Sequence, residues 1–241
     1  MKRMARLKFR LGITPNAKWA QRFWDDLTPL KERIVNHRLF READAGALSI
    51  ESIRKALICF YPLIESFPKF MALNLAKTRP LLPGHAQARG WLIENIAVEE
   101  SHADWWMNWA KACGCTQEEL DEPKPNLYVD ALNNYLWQVN LRASLVEGIA
   151  ATNLAVEWPT GEWAKVVIGG VKGWTKYGIS LDERALQWLQ AHASYDDKHG
   201  DEAMELIKLC VTTVETQNEA FTAAKRSMEY YLLGLDHCLA D

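Results

Sequence analysis

Two clusters of histidine and carboxylate carry the chemistry this sequence can do. Glu99-Glu100-Ser101-His102 sets a carboxylate and an imidazole three residues apart. That is about 60° around a helix, so one face can present both. His192, Asp196 and His199 stand at i, i+4 and i+7 and would share a stripe about 60° wide. Two neutral imidazoles and a carboxylate offer nitrogen and anionic oxygen donors. That set suits a borderline divalent metal such as Fe(II) and leaves positions for O₂ or a substrate. Asp197 would point about 100° away from Asp196, toward solvent. Glu-x-x-His is the ligand pair of carboxylate-bridged di-iron bundles, but those carry two such pairs and this chain shows one. Either cluster alone is an ordinary helix-surface pattern. Their joint presence on otherwise histidine-poor helices points to metal. His37, His85 and His237 lack such company and read as structural.

The elements that must position these residues read as helical throughout. Thr14-Pro15 resembles a cap followed by proline at the first helical position. Apolar residues then recur at helical spacing through Trp19, Phe23, Leu27, Leu30 and Ile34. Ser49 opens an apolar segment reaching Leu75 that contains Pro62 and Pro68. Proline removes an interior hydrogen bond, so two helices or one kinked helix are expected there. Residues 85–113 hold no proline, and Gly114 supplies a left-handed stop. Thr116–Glu119 has the form of a capping box, as does Ser180–Glu183. The latter opens a helix carrying His192, Asp196 and His199, ended by Gly200. Residues 127–157 read as helix bent near Gly148, 159–161 as a turn, and 162–177 as another helix. Val166-Val-Ile168 has strand character but no convincing partner. The Trp105-Trp106…Trp109 run reads as core packing that would also surround the site with apolar material. The expectation is one all-α domain of about eight helices over residues 14–241, preceded by a basic arm, 1–13.

Composition excludes several classes. The chain has 241 residues, 28 basic and 31 acidic, for a net charge of −3. A dedicated nucleic-acid binder would show a basic excess. The composition, 49% hydrophobic and 24% charged, is that of a globular protein. No run of 18 apolar residues appears, so no transmembrane helix is expected. The first ten residues carry five basic side chains without the apolar core of a secretory signal. Five scattered cysteines make a disulfide framework unlikely on count alone and fit a reducing, cytoplasmic setting.

The segments WLIENIAVEESHADWWMNWAKACG, SLVEGIAATNLAVEWPTGEW and ALQWLQAHASYDDKHGDEAMELI resemble the signature regions of the haem-oxygenase-like non-haem di-iron oxidases. That superfamily includes the thiaminase-II-like and PQQ-synthase-like folds. Within it the chain most resembles the UndA family of medium-chain fatty-acid decarboxylases that form terminal alkenes. RIVNHRLF and FMALNLAKTR extend the similarity over residues 33–208. The resemblance implies a single-domain helical bundle of haem-oxygenase-like fold. It also implies six metal ligands, Glu99, His102, Glu157, His192, Asp196 and His199. Glu99, His102 and His199 would hold one iron and His192 with Asp196 the other, with Glu157 between them. Two Fe(II) ions, O₂ as co-substrate, a fatty acid or other small carboxylate or amine as substrate, an external electron donor and a homodimer all follow from the resemblance. Glu157 is not singled out by spacing alone.

Trp158 departs from the pattern, where many relatives have glycine. Its bulk is expected to lie beside the metal and reshape the substrate pocket. A second branch makes p-aminobenzoate by consuming its own tyrosine, and that position aligns with Phe40, which has no phenol. No cysteine here falls in a motif supporting the nucleophile of the thiaminase-like hydrolases. A carboxylate-rich site suits free iron rather than haem. The main reading is oxidative decarboxylation of a medium-chain fatty acid. The alternatives are a same-fold oxygenase acting on an amine, amino acid or aromatic precursor, including p-aminobenzoate-type synthesis, and a metal-free binding module.

Overall fold

The computed structural model describes residues 10–124, 126–194 and 199–239. Asp196 and the first nine residues of the expected basic arm lie outside the described residues. Among the described residues the secondary structure is helical, with no strand; Val166–Ile168 is helix. The order is α1 (Lys18–Val35), α2 (Arg38–Asp44), α3 (Ile50–Ala76), α4 (His85–Glu99), α5 (His102–Ala112), α6 (Gln117–Asp121), α7 (Leu127–Arg142) and α8 (Leu145–Ile149). A π-helical turn (Ala150–Leu154), α9 (Glu157–Gly170), a 3₁₀ segment (Val171–Tyr177), α10 (Glu183–Ser194), α11 (His199–Cys210) and α12 (Val214–Cys238) follow. This is more pieces than the eight expected, because several long predicted helices are divided by short breaks.

α3 shows the reverse. It runs unbroken through Pro62 and Pro68. Each interior proline costs roughly 3 kcal/mol, whereas burying one large apolar side chain gains about 1.5–3 kcal/mol. α3 buries eight, including Ile53, Leu57, Phe60 and Phe70, so packing outweighs both prolines. By length and composition this is the one described helix that could cross a membrane, and 44% of its most apolar window is buried inside the fold.

Other boundaries shift for identifiable reasons. α1 begins at Lys18, and Thr14 instead donates its N–H to Glu205 Oε2 at 2.9 Å. The Thr116–Glu119 capping box forms as expected. At α10 the cap is Asp182, whose Oδ1 accepts from Ala185 N–H at 2.8 Å. Pro159 and Gly161 form no turn: both sit inside the first turns of α9, where proline's missing N–H has no helical partner to lose. Gly200 does not end a helix but lies within α11. A β-carbon there would stand 3.1 Å from the Trp158 ring. Gly114, at φ 85°, ends α5 in the left-handed conformation predicted for it.

The core lies between α3, α5, α9, α10 and α12. α10 packs on α5 and α9, and α12 on α7 and the π-helical turn. Trp188 of α10 is its aromatic hub: it meets Trp106 edge-on at 4.8 Å and stacks with Trp163 at 5.4 Å.

Candidate metal centre

Glu99 ends α4 and His102 begins α5. The predicted single helix is interrupted between them at Glu100 and Ser101. There Ser101 N–H bonds back three residues to Val98 O, the tighter 3₁₀ pattern. The pair still meets, with His102 Nδ1 2.5 Å from Glu99 Oε2. Both side chains are buried, and His102 Nε2 is buried with no hydrogen-bond partner. An imidazole nitrogen sequestered in this way normally has an acceptor or a metal.

Glu157 opens α9 just after the π-helical turn. That turn contains a five-residue bond, Ala155 N–H to Ala150 O at 3.0 Å. Asn153, inside it, donates to Glu157 Oε1 at 2.6 Å. Glu157 Oε2 lies 2.6 Å from His199 Nδ1. Both carboxylate oxygens are thereby oriented before any ligand arrives, as second-layer partners orient the ligands of metal sites. Asn153 is a residue of this site that sequence reasoning missed, because nothing in its spacing from Glu157 distinguishes it from any i,i+4 pair.

His192 comes from α10. Its Nδ1 donates to the Trp188 carbonyl at 2.8 Å and its ring stacks on Trp188 at 3.8 Å. With Nδ1 so engaged, Nε2 is left to face the site, 4.7 Å separating the His192 and His102 ring centroids. Burial and the neighbouring His102 push the His192 pKa down to about 3, so the ring is neutral. Burial also pulls on His199, but the Glu157 carboxylate overcomes it and the pKa rises to about 9.

Glu99, Glu157 and His199 each offer a donor atom within 4.8 Å of the others. Five of the six residues implied by the resemblance therefore come from α4, α5, α9, α10 and α11 to one locus. The sixth, Asp196, is outside the described residues. Carboxylate oxygens, imidazole nitrogens and a buried unpartnered Nε2 form a donor set that fits iron.

The centre opens on an internal cavity. Its wall is aliphatic and aromatic, with Leu39, Ala56, Leu57, Phe60, Phe67 and Trp163 prominent, and Glu99, His102, Glu157 and His192 at its polar patch. Among the described residues no Lys or Arg lines it. Trp106 and Trp109 lie in the buried core and the cavity wall together. Trp158 does not line the cavity, contrary to expectation. It turns away, with Trp24 at 3.9 Å and Lys31 Nζ 5.4 Å above its ring. Successive residues of a helix point about 100° apart, so with Glu157 on the cavity side Trp158 is carried round toward α1. Phe40 does line it, stacked on Trp163 at 4.5 Å.

Residues 54–232 match the sequence profile of a family described as iron-containing redox enzymes. The chain belongs to that family. It is similar to the 4-aminobenzoate synthase of Chlamydia trachomatis serovar D, 23% identical over 188 residues that cover 76% of this chain and 78% of the relative. The 4-aminobenzoate synthase of Chlamydia muridarum is 25% identical over 193 residues, 78% of each chain. Among solved structures, a TenA homologue from Pseudomonas syringae pv. tomato superposes with a TM-score of 0.87 at 36% identity, covering 95% of this chain and 98% of that one. A Shewanella denitrificans domain with a heme oxygenase-like fold gives 0.72 at 15% identity over 90% of each chain. This family member therefore has a haem-oxygenase-like all-α fold. None of these relatives is named as a fatty-acid decarboxylase.

Proposed function

We propose that the protein is a non-haem iron oxidase that uses O₂ to oxidise an apolar-bodied carboxylic acid. The specific reaction proposed is oxidative decarboxylation of a medium-chain fatty acid to a terminal alkene. The observation that carries this reading is the cavity: a largely apolar wall with the Thr160 and Tyr231 hydroxyls in it, no lysine or arginine among the described residues, and a polar patch made of the metal-centre residues. An alkyl chain gains about 0.8 kcal/mol for each buried methylene. A carboxylate entering such a cavity finds no cationic side chain in the wall, so its charge must be met at the polar patch.

Glu99, Glu157, His102, His192 and His199 would hold the iron, with Asp196 as the implied sixth ligand and a second ion as part of the same proposal. Iron, when bound, supplies electrons to O₂ and the oxidising power for C–H cleavage. The chain's own residues bind, orient and exclude water. Burial and His102 hold His192 neutral, and the Trp188 ring and carbonyl fix its orientation. Asn153 holds Glu157. The wall of Phe60, Leu57 and Trp163 keeps the β-carbon region of the acid dry. Loss of CO₂ and two hydrogens from the acid provides two electrons. Reduction of O₂ to two waters takes four, so an external donor supplies the other two.

The alternative is p-aminobenzoate-type synthesis, favoured by the names of the Chlamydia relatives. A buried phenol, Tyr231, does line the cavity and accepts from Trp163 Nε1 at 3.0 Å. Phe40, at the position aligned with the consumed tyrosine, weighs against it.

One experiment separates the two. Iron-loaded protein is given lauric acid, reductant and air, and the headspace is analysed for 1-undecene while the solution is analysed for 4-aminobenzoate. Alkene without 4-aminobenzoate is expected. No alkene across several chain lengths from fully loaded protein rejects the decarboxylase reading.

A further inference from the structure

The π-helical turn that brings Asn153 to Glu157 is held from outside the ligand set, by side chains of α7 and α12. In a regular helix Ala155 N–H would bond Ala151 O. Here it reaches Ala150 O, and Val156 N–H goes to Thr152 O. Ala151 O is passed over by both. Ser227 of α12 supplies the donor in their place, its hydroxyl directed to that oxygen at 2.7 Å. One residue on, Thr152 Oγ1 accepts from Asn140 Nδ2 of α7 at 2.7 Å. Asn140 is itself fixed: Nδ2 also donates to Leu136 O at 2.8 Å, and Oδ1 accepts from Asn74 Nδ2 of α3 at 2.7 Å.

We infer that Ser227 and the Asn140–Thr152 pair are positioning residues for the Glu157 carboxylate, acting by keeping this turn wide. The inference rests on the reading of Glu157 as a metal ligand. A widened turn holds one residue more than the regular turn it replaces. The same residues bonded i→i+4 would carry Glu157 about 100° further round the helix axis, out of register with His199. Such bonding would also return Ala151 O to Ala155 N–H and strip Ser227 of its acceptor. Ser227, Thr152, Asn140 and Asn74 are fully buried, where an unpaired hydroxyl or amide finds no water to replace its partner.

The backbone beside the turn is shaped to admit the network. A β-carbon on Gly148, two residues before the turn, would stand 2.1 Å from Asn74 Oδ1 and 2.9 Å from Asn140 Oδ1. Glycine alone leaves the two amides room to meet there. From the network to the carboxylate the path is short. Ala151 and Thr152 take the outside bonds, Asn153 is the next residue, and its Nδ2 holds Glu157 Oε1 at 2.6 Å. α7 and α12 contribute no residue to the proposed ligand set; their part in the metal centre is to fix this turn.

The test uses the full-length protein with Ser227→Ala and Thr152→Val, which each remove one hydroxyl and no proposed ligand, and Thr152→Ser, which keeps the hydroxyl. Anaerobic titration with Fe(II) reads affinity, and the visible bands of the Co(II)-loaded protein read the arrangement of the ligands. Ser227→Ala and Thr152→Val should each weaken Fe(II) binding by about 3- to 10-fold, less than the loss of a direct ligand partner, and should shift the Co(II) bands. Thr152→Ser should restore both. Circular dichroism checks each fold, and if Thr152→Val does not fold, Ser227→Ala decides. Wild-type affinity and bands in the folded variants would overturn the inference, as would a Thr152→Ser protein as impaired as Thr152→Val. If the wild type takes up neither metal, the iron reading falls by itself, and amide hydrogen exchange over residues 150–157 of the metal-free protein judges the turn. Faster exchange there in Ser227→Ala supports the positioning role, and unchanged exchange overturns it.

Discussion

Asn153 and Glu157 are joined by a 2.6 Å hydrogen bond that spans the exit of the π-helical turn. The amide takes Oε1 and leaves Oε2 to His199. Removing the amide frees the carboxylate to rotate while leaving every proposed ligand in place. Asn153→Ala should therefore weaken metal binding by about 10- to 100-fold, the usual effect of losing such a partner. Anaerobic titration with Fe(II) reads the affinity, and near-UV circular dichroism confirms the fold. Unchanged affinity would assign Asn153 to packing alone.

Metal uptake should release a proton. In the metal-free protein His199 carries one up to about pH 9, because Glu157 outweighs burial. A metal requires the neutral ring. Apparent affinity should fall about tenfold for each pH unit below 9 from this one proton. The metal-free fold follows the raised pKa in the other direction. The His199–Glu157 contact contributes its stability in full below the unfolded value of about 6.5 and loses it as pH rises through about 9. Calorimetric titration in two buffers of different ionisation heat counts the proton. Glu157→Gln should reduce the count at pH 7.5 and flatten the alkaline loss of thermal stability.

Gly170 packs α9 against α2 so closely that a β-carbon would stand 2.2 Å from the Asp44 carbonyl oxygen. The obstacle is backbone, which cannot rotate aside. Gly170→Ala should cost about 1–3 kcal/mol, read by urea unfolding. A cost near zero would mean that the α2–α9 contact yields easily.

The cavity should measure alkyl length. Ala56 lines it from α3, and Ala56→Phe adds bulk to that wall. Binding of straight-chain acids can be followed by quenching of the cavity tryptophans, Trp106, Trp109, Trp163 and Trp188. Wild-type affinity should rise with chain length by up to about 0.8 kcal/mol per methylene, and the variant should lose most for the longest acids. Equal loss at every length would place the alkyl chain elsewhere.

Much of the centre was legible in the primary structure. Glu99 and His102 follow from helical spacing and meet even though two residues interrupt the helix between them. His192 and His199 also reach the centre, from helices described as far as Ser194 and again from His199. Glu157 came only through family resemblance, because its partners lie on other helices and its own neighbourhood shows no pattern. Asn153 was invisible, since its role depends on a widened turn that no local propensity signals. The boundaries misread at Pro62, Pro68 and Pro159 share one cause. A proline's local cost was weighed without the tertiary packing, or the helix-start position, that offsets it.

The widened turn at Ala150–Leu154 also constrains which insertions and deletions this chain can tolerate. A regular α-helix advances about 100° per residue. Deleting a single residue there would restore ordinary i→i+4 bonding with the flanking helices still in phase, and would remove the widened turn in which Asn153 meets Glu157 Oε1. Length in this stretch thus matters to the site as side-chain identity does: a chain one residue shorter here would keep the scaffold but not the same support for the Glu157 carboxylate.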